Sequence, residues 1–301
     1  MKKFIKFILA EIVYLPYKYR IIKNPIRVND VDETLEELIH TKKSLVRFGD
    51  GEIVMIRGKN LQLQDASPKL IEGLKRILSY QYDNLIVSVP GIFDGVEKYG
   101  KSGRKFWKDH LLFCRKIYLL YCNLEKTYAN ASVTRCYYSF HDKSRCREWF
   151  EKFKEIWDNK EIVIVEGTRT HNGIGNDLFD KAASIERVIC PPQNAFSVYD
   201  AILKECQQFS KNKLFLVSLG VTAKFLTEDL FLLGYRVIDI GNLDMEYEWF
   251  LKGAADKPPI KKHSVIGMEA NMAEGYENYW KQIVARIELG DNQNDKQIEK
   301  A

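Results

Sequence analysis

Apolar and polar positions follow two patterns along the chain. Short apolar runs, many of them β-branched, recur with few polar interruptions, and such runs predict strands that are buried on both faces. Longer amphipathic stretches lie between them and predict helices. The predicted strands are Ser44–Phe48, Leu85–Val89, Lys116–Tyr121, Glu161–Val165, Arg187–Cys190, Leu214–Leu219 and Arg236–Ile240. The predicted helices cover residues 31–42, 67–82, 144–158, 176–184, 195–209, 221–233 and 275–289.

This alternation predicts an α/β fold of the Rossmann-like kind: a mostly parallel, doubly wound sheet with helices on both faces. We expect one domain over residues 31–290. A basic amphipathic segment over residues 1–30 precedes it, and a polar tail over residues 291–301, which we expect to be disordered, follows it. Ligands of such sheets bind beyond the carboxyl ends of the strands, so the residues that follow each strand are the candidates for chemistry.

The distribution of charged residues along the chain indicates which kinds of partner to expect. The net charge of the 301 residues is +5, but residues 1–27 hold seven basic residues against one acid, which leaves −1 for the rest. A near-neutral body does not predict a nucleic-acid partner. Residues 1–27 are too short and too charged to span a bilayer and lack a signal-peptide cleavage site.

Two interpretations of this N-terminal segment stay open. Either a first helix packs on the core, or a basic amphipathic helix lies on an anionic membrane surface. We therefore expect a cytoplasmic protein, and the second interpretation places it peripherally at the inner face of the cell membrane.

The stretch SLVRFGDGEIVMI carries the first candidate site. Asp50 and Glu52 directly follow a predicted strand, and Gly49 and Gly51 permit a sharp turn. If the segment stays extended, the two carboxylates point the same way and can face one ion, and hard oxygen ligands suit Mg²⁺ or Mn²⁺. The alternative is an ordinary turn with solvated acids, because Asp-Gly is a common turn dipeptide.

A second candidate is the stretch VIVEGTRTHNGIGNDLF. A strand ends before Glu166, and a loop with Gly173 and Gly175 leads to Asn176, which we expect to cap a following helix. A glycine-containing loop that feeds a helix N-terminus can bind an anion through free backbone N–H groups. An ordinary glycine-rich connection is the alternative.

Three further stretches follow strands. In ICPPQNAF, Asn194 is either a helix cap or a ligand contact. In LGVTAKFL, a turn at Gly220 and a helix start at Thr222 have the shape that receives a phosphate or ribose. In IDIGNLDMEYEWF, a carboxylate such as Asp244 or Glu246 can act as a general base toward an acceptor hydroxyl.

Taken together and in this order, the blocks RFGDGE, EG…NGIGNDLF, ICPPQNAF, LGVTA and GYRVIDIGNLDMEYEW resemble the bacterial GT-D-fold glycosyltransferases, over about residues 40–285. That family was first described as a domain of unknown function and includes the glucosyltransferase of streptococcal serine-rich-repeat adhesin glycosylation. The resemblance implies a metal-dependent hexosyltransferase, moving glucose or galactose from a UDP-sugar to a glycan acceptor in polysaccharide or protein glycosylation.

The resemblance also implies roles for residues. Asp50 and Glu52 match the family's D-x-E motif, which would hold Mn²⁺ or Mg²⁺ against the diphosphate. Asp244 or Glu246 would activate the acceptor, which would be a lipid-linked oligosaccharide or a glycoprotein. The residues that would bind the nucleotide sugar are Arg47, Gly49, Glu166, Gly173, Gly175, Asn176, Asp177, Asn194 and Thr222.

The chain departs from the family pattern at three places. Thr170-His171 stands where Ser-Arg is frequent, Val221 replaces a proline, and Asn242 stands where a histidine is common. These positions leave the sugar and the acceptor open. Two other classes of function remain as alternatives: a nucleotide-sugar phosphohydrolase and a non-catalytic UDP-sugar-binding partner of a glycosyltransferase complex.

Overall fold

The computed structural model of the chain describes residues 2–19, 21–22, 24–260, 262 and 276–289. Within these residues nine strands form one sheet in which every neighbouring pair is parallel. The expected α/β class with a parallel sheet is therefore confirmed. The predicted tail over residues 291–301 lies outside the described part of the chain.

The elements alternate as the pattern predicted. The strands are β1 Arg27–Val28, β2 Ser44–Arg47, β3 Leu85–Val89, β4 Thr127–Asn130, β5 Glu161–Gly167, β6 Ser184–Cys190, β7 Leu214–Ser218, β8 Arg236–Asp239 and β9 Ile283–Arg286. The helices are α1 Lys2–Lys18, α2 Val31–His40, α3 Asp50–Ile56, α4 Pro68–Leu78, α5 Lys101–Tyr121, α6 Cys146–Ile156, α7 Tyr199–Cys206, α8 Thr222–Leu232, α9 Leu243–Leu251 and α10 Tyr276–Gln282. Short 3₁₀ turns cover Ala131–Arg135 and Ala195–Val198.

The strand order across the sheet is β1-β4-β3-β2-β8-β7-β5-β6-β9. The strands β3 and β7 are buried at every position, because layers of chain cover the sheet on both faces. The first four strands form one half and the last five form the other. The halves meet at β2 and β8, where Leu45 pairs with Ile238.

Three predicted elements were wrong. The run Lys116–Tyr121 is not a strand but the end of α5, whose buried residues His110, Cys114 and Tyr118 recur every fourth position. Residues 176–184 form turns rather than a helix, and the stretch over 275–289 divides into α10 and the strand β9. In the first case a dense apolar run was typical of a buried strand, although its period was helical.

The helix α1 packs along α5. The Tyr14 hydroxyl donates to the Glu97 carboxylate at 3.0 Å, and Lys108 contacts Glu11 at 2.7 Å. The opposite side of α1 exposes Ile5, Leu9 and Ile12 to solvent. Of the helices that the structure describes, none has the length and apolarity needed to pass through a bilayer.

Candidate active site

Two neighbouring cavities open at the carboxyl edge of the sheet, beside β2 and β8. The chain continues from β2 toward β3 and β4 on one side, whereas β8 belongs to the other half, so the cavities lie at the switch point of the topology. The first cavity has a volume of about 370 Å³ and the second about 410 Å³. Arg47, Gly49, Asp50 and Arg135 line both cavities, which therefore share a wall.

Asp50 and Glu52 lie in the first turn of the helix α3. The predicted extended geometry was wrong, because the Glu52 carboxylate accepts a hydrogen bond of 2.7 Å from the Gly49 N–H and so caps α3 at its start. The two acids still reach the first cavity. Asp50 is half-buried, and it forms no hydrogen bond or ion pair with any side chain that the structure describes.

A buried lysine lies next to Glu52. The Lys224 ammonium is 3.1 Å from the Glu52 carboxylate, 3.0 Å from that of Asp239, and donates to the Gly220 carbonyl at 3.0 Å. Burial lowers the pKa of Lys224, but Asp239 and Glu52 raise it by more. Likewise burial raises the pKa of Glu52, and the pull of Lys224 and Arg47 leaves it below its ordinary value. These groups are therefore ionised at neutral pH.

We call Asp50, Glu52, Lys224 and Asp239 the open cluster, because three of the four line the first cavity. Asp239 does not line the cavity but pairs with Lys224 in the interior. It also accepts a hydrogen bond of 3.3 Å from the Arg47 backbone N–H. Its other oxygen accepts from Gly241, a residue with φ of +49°. A side chain at Gly241 would press on the Arg47 guanidinium at 3.2 Å, so glycine there keeps that guanidinium in place.

The first cavity is rich in positive charge. Arg47, Arg135, Arg169 and Lys224 line it together with only two carboxylates, those of Asp50 and Glu52. Burial lowers the pKa of Arg135, and the neighbouring Arg47 lowers it further. Arg169 is half-buried and pairs with no acid in the described part of the chain. Lys224 and Arg135 have carboxylates near them, whereas Arg47 and Arg169 pair with no acid that the structure describes, and such unpaired cations favour a bound anion.

One wall of the first cavity is a loop at residues 61–65, and Asn194 holds it. The Asn194 side-chain oxygen accepts from the Asp65 N–H at 2.8 Å and from Gln64 at 3.3 Å. Asn194 itself has φ of +48° and does not cap a helix through its side chain. The predicted contact with ligand stays a prediction, since only its neighbours Gln193 and Ala195 line the cavity.

The glycine-rich loop divides between two places. Gly167, Arg169 and Thr170 line the first cavity. Glu166 faces inward, where it pairs with Arg187 at 2.7 Å and accepts from the Asn172 N–H. No helix follows for Asn176 to cap.

Asn176 and Gly173 instead donate to Asp244 in the interior, each at 2.8 Å. Lys262 lies 3.0 Å from Asp244 and 2.8 Å from Glu248. We call Asp244, Glu248, Lys262 and Asn176 the closed cluster, since none of them lines either cavity. Asp177 lies beside it and pairs with Lys154 at 2.7 Å.

Of the remaining predicted residues, Glu246 and Thr222 are interior, whereas Gly175 is exposed. Glu246 is fully buried, accepts from the Tyr137 and Tyr138 N–H groups, and lies 3.7 Å from Arg135. Thr222 is buried at the start of α8. Neither residue lines the first or the second cavity, nor does Gly175. Of the nucleotide-sugar residues predicted, the structure brings Arg47 and Gly49 together with Asp50 and Glu52.

The family model of the glycosyltransferase GT-D fold matches residues 45–267. The chain belongs to the GT-D family. The resemblance seen in the sequence blocks is therefore confirmed, and the parallel sheet with its cavities at the switch point is the GT-D fold of this chain.

Named relatives agree. The GT-D chain is 39% identical over 269 residues to the glycosyltransferase GlyD of Streptococcus pneumoniae serotype 4, a match that covers 87% of this chain and 33% of that protein. It is 38% identical to the probable glycosyl transferase Gly of Streptococcus gordonii, over 87% of this chain and 39% of that one. The chain thus spans between a third and two fifths of the length of these relatives.

Solved structures are similar over most of the chain. A structure described as the domain of unknown function 1792 with a distinct glycosyltransferase fold aligns with a TM-score of 0.82 and 37% identity, over 94% of this chain and 98% of that one. A glycosyltransferase of the same domain type from Streptococcus sanguinis aligns with a TM-score of 0.82 and 36% identity, over 87% of this chain and all of that one.

The metal site that the GT-D resemblance implies can be tested against the side chains. Within the described residues, no group of three His, Cys, Asp or Glu side chains is placed to hold a metal ion. Asp50 offers a carboxylate that no donor among the described residues engages, whereas Glu52 is held by Gly49 and Lys224. This donor set fits a hard ion that takes one or two carboxylates and completes its shell with substrate phosphate and water.

Sequence reasoning missed Arg135 and Lys224, and it assigned no specific role to Arg169 or Asp239, although both stand in the stretches singled out above. Lys224 gave a usable signal, because a lysine stands two residues after the start of a helix whose neighbours are apolar, directly beyond a buried strand. A buried lysine needs an acid beside it, so its position already indicates a partner. Arg135 gave none, since it comes from a 3₁₀ turn after the unpredicted strand β4.

Proposed function

We propose that the chain transfers a hexose, glucose or galactose, from a UDP-sugar to a glycan acceptor. The observation that carries this proposal is the first cavity: four cationic side chains converge on it with two carboxylates, at the switch point of a parallel sheet. A nucleoside diphosphate carries negative charge, and more develops on it as the bond to the sugar breaks. Fixed cations stabilise that charge where it develops.

The shape of the first cavity supports a nucleoside beside the diphosphate. Leu61 and Leu63 lie on one wall and Pro191 and Pro192 on another, so part of the lining is neutral and apolar. A flat base fits between such walls, while the diphosphate turns toward Arg47, Arg135 and Arg169. This division follows the usual design of ligand pockets, which are largely apolar with a few polar groups that fix orientation.

The proposal includes a divalent ion, Mn²⁺ or Mg²⁺, held by Asp50 with Glu52 beside it. When bound, the ion supplies positive charge to the leaving diphosphate. The protein's own residues complete that task. Lys224 keeps Glu52 ionised and in position, and Arg47 and Arg135 face the same wall.

The test is UDP binding and UDP release, measured with a panel of UDP-sugars in Mn²⁺ or in EDTA. We expect one preferred donor, and we expect Arg169→Gln to weaken UDP binding at least tenfold, because it removes a cation that no acid among the described residues engages. Arg104→Gln is the matched control, since Arg104 is exposed and lines neither cavity. Equal UDP affinity in both variants would contradict the placement of the donor.

The same assay separates the two alternatives. A phosphohydrolase would cleave the donor steadily without any acceptor, at a rate that acceptors do not change. A binding partner would retain UDP tightly and release none from any UDP-sugar, with any acceptor. A transferase releases UDP faster when the correct acceptor is added.

We also propose that α1 contacts an anionic membrane surface, as a peripheral attachment through residues 1–27. The exposed side of α1 is apolar at Ile5, Leu9 and Ile12, and the segment is basic. Sedimentation with anionic vesicles, compared with vesicles of neutral lipid, tests this. Leu9→Asp/Ile12→Asp should abolish sedimentation with anionic vesicles, and unchanged sedimentation would contradict the proposal.

A further inference from the structure

The second cavity adjoins the first and has a different lining. Its own side chains are aromatic and hydroxylic: Phe106, Trp107, Tyr138, Ser102 and Ser139. Trp107 and Tyr138 are half-buried, so part of each ring is covered by protein and part faces the cavity. Aromatic faces next to hydroxyl groups suit a sugar ring, which presents apolar C–H faces and polar edges.

Trp107 is held in place by its neighbours. Its ring lies 5.9 Å from that of Tyr99 and 5.0 Å from that of Phe106, measured between centroids. Tyr99 is fully buried and its hydroxyl lies 3.2 Å from that of Ser132. A rigid, partly exposed indole loses little conformational freedom when a ligand stacks on it.

The second cavity also carries unmatched positive charge. Lys257 lies with its ammonium 4.3 Å from the centroid of the Tyr138 ring, and it pairs with no acid in the part of the chain that the structure describes. The residue as a whole is exposed, but partial desolvation beside the protein lowers its pKa, and Arg135 lowers it further. Asp50 is the one carboxylate among the residues that line this cavity, against Arg47, Arg135 and Lys257. A bound anion would relieve this repulsion.

We infer that the second cavity binds the acceptor, and that the acceptor is a saccharide carrying a phosphate group. Trp107 and Tyr138 hold the sugar, and Lys257 holds the phosphate. The shared wall at Gly49 and Asp50 brings the acceptor next to the donor sugar in the first cavity. This inference rests on the proposed function and chooses, between the two acceptor types, the phosphate-linked saccharide over a neutral glycan on a protein.

The test uses two probes, N-acetylglucosamine and N-acetylglucosamine 1-phosphate, with binding measured by saturation-transfer NMR and by calorimetry in the presence of saturating UDP. We expect the phosphorylated sugar to bind at least tenfold more tightly than the neutral sugar. Trp107→Ala should weaken binding of both probes tenfold or more. Lys257→Met should remove the preference for the phosphorylated probe and leave binding of the neutral one within twofold.

Matched controls are Trp280→Ala and Lys59→Met, because both residues are exposed and line neither cavity. UDP affinity is measured for every variant. If Trp107→Ala and Lys257→Met bind the probes as the wild type does while Arg169→Gln still loses UDP, the acceptor inference is wrong and the donor proposal stands. Competition between the probes and UDP for one site would also overturn it. Inorganic phosphate alone, if it binds as tightly as the sugar phosphate, would show a phosphate site without a sugar site and so contradict the inference.

Discussion

The open cluster and the closed cluster contain the same kinds of charged groups, but only the open cluster reaches a cavity. Each places carboxylates around one buried lysine, Lys224 in the first and Lys262 in the second. In the open cluster Asp50 has no hydrogen-bond or ion-pair partner within the described part of the chain, and it faces both cavities. In the closed cluster Asp244 accepts from Gly173, Asn176 and Lys262, and it is fully buried.

The difference shows what marks a reactive acid. Both clusters follow strands at the carboxyl edge of the sheet, and both are rich in Asp and Glu, so sequence position does not separate them. What separates them is whether the tertiary structure leaves an oxygen for a ligand. The acids of the closed cluster have their hydrogen bonds satisfied inside the protein, which makes them part of its stability.

The variant Asp50→Asn tests most directly whether the open cluster serves activity rather than stability. We expect transfer to fall by about 10²- to 10³-fold, because the variant loses the ionised oxygen at the wall that both cavities share. The free energy of unfolding should stay within about 0.5 kcal/mol, since Asp50 is half-buried and no described residue pairs with it. UDP release with a UDP-sugar donor checks the first expectation and urea denaturation the second. Asp180→Asn, at an exposed acid outside both cavities, is the control.

Lys224→Met tests how the open cluster is held. It leaves Glu52 and Asp239 buried without their cation, which should lower the free energy of unfolding by about 4 kcal/mol. Adding Glu52→Gln should restore part of that loss, because one of the two unpaired charges disappears. A double-mutant cycle by urea denaturation measures this coupling. Strictly additive effects would mean that Lys224 and Glu52 do not support each other.

Lys262→Met is the matching change in the closed cluster. It should lower the free energy of unfolding by about 3 kcal/mol, since Asp244 and Glu248 lose their shared cation. Activity per folded molecule should change by less than threefold at a temperature where the variant is folded, as neither acid reaches a cavity. A loss of activity as large as that of Asp50→Asn, without a loss of stability, would reverse the roles of the two clusters.

The pH dependence of the free energy of unfolding tests a buried histidine, His110, outside both clusters. His110 is buried on α5, its ring nitrogen lies 3.0 Å from the Tyr118 hydroxyl, and burial lowers its pKa to about 4. The His110 imidazole therefore takes up a proton near pH 6.5 in the unfolded chain, but only near pH 4 in the folded protein. Stability should fall by about 2 kcal/mol from pH 7 to pH 5 for this reason.

His110→Gln should flatten that part of the curve, which thermal denaturation across the pH range measures. The control is His40→Gln, because His40 is exposed on α2. An unchanged slope in His110→Gln would assign the acid sensitivity to other groups.

The sequence predicted the parts of the fold that depend on local pattern. Six of the seven predicted strands exist, since runs such as Leu85–Val89 are long, apolar and bounded by turns. The strands β1, β4 and β9 were not predicted: they are two to four residues long, and β1 and β9 are the two edge strands of the sheet. Strands this short are stabilised by their neighbours rather than by their own residues.

The site was predictable only in part, for a physical reason. Asp50 and Glu52 follow a strong strand, so their place at the edge of the sheet could be inferred. Their geometry could not, because the Glu52 carboxylate caps its own helix and turns the segment away from an extended form. The second cavity depends on residues 47, 107, 138 and 257, which only the folded chain brings together.

The pairing of Leu45 with Ile238 has a consequence for how this molecule comes into being. The two strands that frame the cavities, β2 and β8, are far apart in the sequence. During synthesis β2 therefore cannot pair with β8 until residues 236–239 have been made. Closing so large a loop is slow, because its entropy cost comes before the stabilising contacts form. A truncated product that ends before residue 236 would carry Asp50 and Glu52 and yet lack Asp239. The complete open cluster therefore requires synthesis to pass residue 239.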